Sequence, residues 1–266
     1  MFNYLYNVKK HFVFDKDEMR DMLLIILVFT VVLGYNDGHE TFVMGRWLLN
    51  LLTSFVIASS MVIAKEAGHK LVAIKVGYTT KMKVWWPILF VNLFIAVLTD
   101  GMFHIVLPVA GLLVIHHEKL RIGKFRYGQN YVDNAMIGFA GPLFNIAVAM
   151  LFKVFSFFPD NPTIILAMQM NLIYAMVNLI PIDILFYLVM PKKRLEHADI
   201  TKHPAPLAGT YMFYSTRLFY TFCTTIAFVL SGVIFVSGII TSVITALVVA
   251  GALFVVLWYE RAFAIV

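Results

Sequence analysis

Apolar residues in this chain come in long uncharged runs separated by short basic clusters. A membrane-crossing helix needs roughly 20 predominantly apolar residues, and several runs approach or exceed that length. Met22 to Tyr35 is the shortest; Trp47 to Ala64 is the second and continues into Lys65-Glu66-Ala67-Gly68-His69; Ala135 to Phe152 is the third and Thr163 to Ile182 the fourth. Leu218 to Tyr259 has room for two helices, with Ser237-Gly238 and Thr241-Ser242 marking the turn between them. Val84 to Ile115 reads differently, because Thr99-Asp100-Gly101 interrupts it and Pro87, Asn92, His104, Pro108 and Gly111 punctuate it. Each half is short for a span. A hairpin or re-entrant segment, its irregular backbone sheltered by protein, is expected there.

The basic clusters test this layout. Lys9, Lys10, Lys16 and Arg20 precede the first span, and Lys70, Lys75, Lys81 and Lys83 follow the second. Lys119, Arg121, Lys124 and Arg126 precede the third, and Lys192, Lys193, Arg194 and Lys202 follow the fourth. All four fall on one side if Val84 to Ile115 returns to the side it left. The expected architecture is an all-α polytopic membrane protein of about six transmembrane helices, with a re-entrant or hairpin segment at 84–116 between the second and third. Both termini are expected in the cytoplasm. Residues 1–20 read as a cytoplasmic segment and 21–266 as a single integral membrane domain, with no internal repeat. The first span reads as a retained anchor, since Gly34-Tyr35-Asn36-Asp37-Gly38 lacks an A-x-A-like cleavage site.

Composition excludes a soluble domain: 61% of residues are hydrophobic, 14% are charged and the mean hydropathy is +0.84. In that setting a net charge of +6 reflects topology and contact with anionic lipid rather than nucleic acid. The single cysteine, Cys223, rules out an intramolecular disulfide and a thiolate metal cluster and reads as packing.

The candidate chemistry lies where the second apolar run meets charge. Lys65-Glu66-Ala67-Gly68-His69 has the form H-E-x-x-H with lysine in place of the first histidine. In the intact motif two histidines on one helix face bind zinc and the glutamate activates the bound water. An ammonium has three donors and no lone pair to give, so zinc should bind weakly here. On an ordinary helix K-E-x-x-H is a solvated face, but a charge entering an apolar span is a functional-site hypothesis by default. At the same depth the fourth span ends in Asn178-Leu179-Ile180-Pro181-Ile182-Asp183. The third begins with Ala140-Gly141-Pro142-Leu143-Phe144-Asn145, where a small residue allows close helix approach and an asparagine can bond an exposed peptide group.

On KEAGH, AGPLFN and NLIPID, in that order on successive spans, the chain resembles the site-2 protease family, the intramembrane zinc metalloproteases of peptidase family M50. Pro108-Val109-Ala110-Gly111 is similar to an element found before A-G-P-x-x-N in archaeal-type members, and the resemblance covers about 54–183. It implies a zinc held by two histidines and an aspartate, a glutamate general base, cleavage of a peptide bond within a membrane helix, and the cell membrane of a prokaryote. Carried over, Glu66 matches the base, His69 the second histidine, Asp183 the aspartate, and Asn145 with Gly141 and Pro142 the substrate-binding element. Lys65 stands at the lost ligand position, and the residues flanking Asp183 depart from the family's pattern.

Loss of proteolysis with retained binding of transmembrane clients is the favoured expectation. Lys65 and Asp183 are then expected to form an ion pair in the metal's place. An active protease needs a substitute ligand, and His104 is the best placed for it, although a lone histidine in such a segment is more often bonded to backbone. An ion transporter or channel is the remaining alternative, since Lys, Glu, His and Asp could line a path, but inverted repeats are missing.

Overall fold

The computed structural model describes residues 2–39, 41–101, 110–116, 131–155, 161–181, 208–213, 217–249 and 251. His104, Pro108, Asp183 and the third and fourth basic clusters lie outside the described residues.

The elements are α1 (Phe2–His11), α2 (Lys16–Gly34), α3 (Met44–Val76), β1 (Thr79–Val84), α4 (Trp86–Leu98), β2 (Gly111–His116), α5 (Tyr131–Phe155), α6 (Pro162–Leu179), α7 (Ala208–Phe213), α8 (Arg217–Val236) and α9 (Ile239–Val249). Local chemistry sets several ends. Asn161 caps α6, its side chain accepting from Thr163 N at 3.0 Å, with Pro162 in the first turn. Gly77 stops α3 at φ 97°, a left-handed conformation that glycine adopts without a Cβ penalty. The break between α8 and α9 falls at Ser237-Gly238, as the sequence indicates.

Four helices among the described residues are long and apolar enough to cross a membrane: α3, α5 from Val132, α6, and α8 from Phe219. Six were expected. The difference lies in α2, whose first turns carry Lys16, Asp17, Glu18, Arg20 and Asp21, and in α9, an 11-residue helix over its described part. The described residues are predominantly helical, in keeping with an all-α membrane protein, and add one small unexpected element: β1 and β2 form a two-stranded antiparallel sheet with Thr79 opposite His116 and Val84 opposite Gly111.

That pairing joins the two ends of the punctuated stretch. From it α4 runs beside α2: Val84 N donates to Asp21 Oδ2 at 3.2 Å near one end, and Asn36 Nδ2 to the Asp100 carbonyl at 2.9 Å near the other. Asp100 and Gly101, at φ 50° and 68°, make the turn after α4. Trp85 N bonds the Ala110 carbonyl at 2.8 Å, which extends the contact between the two strands by one more pair of residues.

Two buried apolar clusters flank the centre. One joins α2, α3, α4 and the sheet to α6, with Phe29 edge-on to Tyr174 at 5.9 Å between ring centroids. The other joins α5, α6, α7 and α8, and includes Cys223. Leu48, Leu52, Phe55, Val56 and Ile63 on the opposite side of α3 stay exposed, which suits a helix facing lipid.

Beside the sheet, the Lys70 ammonium of α3 lies 2.8 Å from Glu18 of α2 and donates to the Thr80 carbonyl of β1 at 3.1 Å. Lys70 also sits over the Phe14 ring at 4.7 Å, and Glu18 accepts a long bond from Met82 N at 3.4 Å. Removing one partner of such a pair leaves a buried charge. Lys70→Met is expected to cost about 3–5 kcal/mol, and Lys70→Met with Glu18→Gln to recover much of it. Urea unfolding in detergent of the two singles and the double, read as a cycle, measures the coupling; additive losses would show that the pair is not coupled.

Candidate functional site

The site forms where α3, α5, α6 and β2 meet. Lys65, Glu66 and His69 are 1%, 0% and 0% exposed, which removes the reading of KEAGH as a solvated helix face. α3 spans 33 residues, about 50 Å at 1.5 Å per residue, longer than the roughly 30 Å hydrocarbon core. Lys65 follows its uncharged run, so the polar triad lies toward the end of α3 that carries the sheet.

Two glycines bring α3 and α5 together. A Cβ on Gly68 would lie 2.6 Å from the Ala140 carbonyl oxygen and 2.9 Å from the Phe144 ring. A Cβ on Gly141 would collide with His69 Nε2 and lie 2.5 Å from Cε1. KEAGH and AGPLFN, which the sequence puts on separate spans, are thus one contact. Pro142 lies inside α5 without breaking it; it supplies no N–H to the Gly138 carbonyl one turn back.

His69 Nδ1 is 2.7 Å from the Ile137 carbonyl oxygen. A carbonyl only accepts, so the proton is on Nδ1 and the Nε2 lone pair faces Gly141 with no partner. A backbone carbonyl behind one ring nitrogen is also how metal-binding histidines are oriented. Lys65 Nζ donates to the Gly111 carbonyl of β2 at 2.9 Å, stands 3.5 Å from Glu66 Oε1 and lies 5.8 Å from the Tyr174 ring centroid. The Lys65–Glu66 contact is a loose ion pair, since neither Glu66 oxygen completes a hydrogen bond.

Further buried polar groups surround these. Both side-chain amide atoms of Asn145 lack a hydrogen-bond partner. Asn178 Nδ2 bonds the Tyr174 carbonyl at 2.8 Å, and the Asn178 side chain also interacts with the Tyr174 hydroxyl. Nearer the middle of α6, Asn171 Nδ2 donates to Ser60 Oγ of α3 at 3.1 Å. Buried polar atoms in a folded protein are nearly always paired, so this many open ones together signal a ligand or water.

The described residues by themselves do not complete a zinc site. A catalytic zinc takes three protein ligands, whereas the described donors are one imidazole nitrogen and one carboxylate, with a lysine ammonium fixed beside them. No group of three or more His, Cys, Asp or Glu that could hold a metal occurs among the described residues. Among the described residues the Lys65 ammonium contacts the Gly111 carbonyl, Glu66 and the Tyr174 ring. Asp183, its expected partner, and His104 both lie outside the described residues. The arrangement offers an acceptor at His69 Nε2, a donor and acceptor pair at Asn145, and a nearly neutral ion pair.

Comparison with family models, curated proteins and solved structures finds no match to this chain.

Sequence reasoning missed the parts of the site that are backbone or aromatic: the Gly111 and Ile137 carbonyls and Tyr174. Tyr174 and Asn178 stand four apart in an apolar span, and that spacing was the available signal for the last. Gly141→Ala is expected to lower stability by about 1–3 kcal/mol through overpacking against the imidazole. Thermal melts of Gly141→Ala and of Gly141→Ala with His69→Ala decide it, because only a clash with His69 is relieved in the double variant.

Proposed function

We propose that this chain is a site-2-protease-like membrane protein in which Lys65 has taken the place of a zinc ligand, and that it binds transmembrane segments of client proteins without cutting them. The observation that carries this reading is the direct packing of the KEAGH helix on the AGPLFN helix, with the Asn145 amide buried and unpaired. In this reading α2 and α9 also cross the membrane, 84–116 re-enters from the side it left, and both termini are cytoplasmic.

The physical basis for client binding is the cost of unpaired backbone in a bilayer, several kcal/mol per group. A client helix loosened by proline or glycine exposes carbonyls and N–H groups that the Asn145 amide and His69 Nε2 can satisfy. A regular helix has none to spare. Lys65 and Glu66 keep the pocket charged yet nearly neutral, and Gly111 holds the ammonium in place. With lysine at the ligand position, Glu66 would lack a metal-bound water from which to take a proton, and hydrolysis is not expected in this reading.

Zinc content of the detergent-purified protein is the first test. The parent is expected to contain substoichiometric zinc and Lys65→His to gain it. Stoichiometric zinc in the parent, lost in His69→Ala, would instead favour an active protease with a substitute ligand. Binding is tested in liposomes by energy transfer to labelled transmembrane peptides. A peptide with a mid-span proline is expected to bind the parent roughly tenfold more tightly than an all-leucine peptide, as one or two satisfied backbone groups imply. Asn145→Leu should abolish the preference; equal binding of both peptides by the parent would defeat the proposal.

A further inference from the structure

The apolar surface of the protein differs in height from one face to another. Between Arg46 and Lys65, α3 carries the uncharged run Trp47 to Ala64, about 27 Å of helix, and Leu218 to Val236 of α8 gives about 28 Å. Both approach the roughly 30 Å hydrocarbon core of a bilayer. α2 and α4 are shorter. In α2 the run from Met22 to Tyr35, between Asp21 and Asn36, measures about 21 Å. α4 has 13 residues from Trp86 to Leu98, about 20 Å.

These two short stretches are held level with each other. Asp21 accepts from Val84 N just before α4 begins, and Asn36 beyond the end of α2 donates to the Asp100 carbonyl just after α4 ends. A Cβ on Gly101 would lie 2.9 Å from Asn36 Cβ, so the far ends are in direct contact. Charge marks both limits, with exposed Arg20 and Lys83 beside the sheet and Asp37 and exposed Asp100 at the other end. Between them Leu23, Leu27 and Val31 of α2 and Phe90, Phe94 and Val97 of α4 are exposed. Trp86 is exposed at the sheet-side edge, where an aromatic ring favours the membrane interface. An apolar groove of ≈ 510 Å³ runs along α4, lined by Phe90, Val91, Leu93, Phe94 and Val97. Polar limits that coincide on two neighbouring helices are what a planar interface requires; a protein partner would impose no such alignment.

We propose that the face formed by α2 and α4 is matched to a hydrocarbon layer of about 20 Å, so that it gathers short-chain phospholipids and thins the bilayer beside it, with acyl chains in the α4 groove. The proposal rests on the reading in which α2 crosses the membrane. Tilt cannot remove the mismatch, because tilting a helix of fixed length lowers the height it spans.

The test places the full chain in vesicles of equal dimyristoleoyl and dioleoyl phosphatidylcholine, extracts it with its lipid shell in polymer discs, and compares the shell by mass spectrometry with protein-free discs. The short-chain lipid is expected to be enriched about twofold, a modest factor because mismatch costs little per ångström. Arg20→Leu with Lys83→Leu, both exposed positions, lengthens the band at its sheet end and should bring the enrichment back to the protein-free ratio. Crossing by α2 is read separately. In sealed membranes His39→Cys and Lys9→Cys are expected to react with a membrane-impermeant maleimide from opposite sides, the native Cys223 being buried. Labelling from the same side would remove α2 from the spans and the proposal with it. Labelling from opposite sides without enrichment would overturn the matched band alone, as would discs that hold two copies of the chain, which would mean that a second copy covers this face.

Discussion

The contact between α3 and α5 sets the distance on which the rest of the centre depends. Gly68 meets the Ala140 carbonyl and Gly141 meets the His69 ring, with no room for a Cβ on either side. Helix association in a bilayer lacks a hydrophobic drive and relies on close packing of small residues and on interhelical hydrogen bonds. This contact uses both, since the backbones that approach so closely also deliver the Ile137 carbonyl to His69 Nδ1. A wider spacing would separate the imidazole from its carbonyl and open the Asn145 region to lipid.

Charge buried along α3 serves the sheet. Lys65 and Lys70 lie on the same helix five residues apart, and each donates to a backbone carbonyl of a different strand, Gly111 in β2 and Thr80 in β1. Each also has a carboxylate near it, Glu66 for the first and Glu18 for the second. On its other flank β1 sends Met82 N and Val84 N to Glu18 and Asp21 of α2, so the edge of a two-stranded sheet, marginal by itself, is covered. The charges stabilise the sheet only as paired sets, because any one left alone in this interior costs several kcal/mol. Lysine at position 65 is therefore a structural part of the interior, tied to β2 through the Gly111 carbonyl.

The same end of the bundle carries two polar sites of different character. Around His69 and Asn145 the open atoms are neutral donors and acceptors deep between helices. Lys10, Asp15 and Thr80 line a cavity beside the sheet, nearer the surface. Lys70 and Glu18 line the second site and brace β1 through the Thr80 carbonyl.

Periodicity and uncharged runs located α3, α5, α6 and α8 and the turn at Ser237-Gly238, because bilayer thickness writes directly into the length of apolar sequence. They also marked Lys65, Glu66 and His69, since charge inside such a run needs a reason. The small residues of KEAGH and AGPLFN signalled a close helix approach but not its partner. What the sequence could not express was the set of main-chain partners. Gly111, Ile137 and Thr80 act through carbonyls that every residue possesses, so no side-chain pattern announces them. The sheet was hidden for a related reason: Thr79–Val84 and Gly111–His116 pair across a long, punctuated intervening stretch, and such register is fixed by packing on α2 and α3 rather than by local propensity. Residue identity determined which groups enter the membrane; tertiary packing decided which of them are satisfied and which stay open to a ligand.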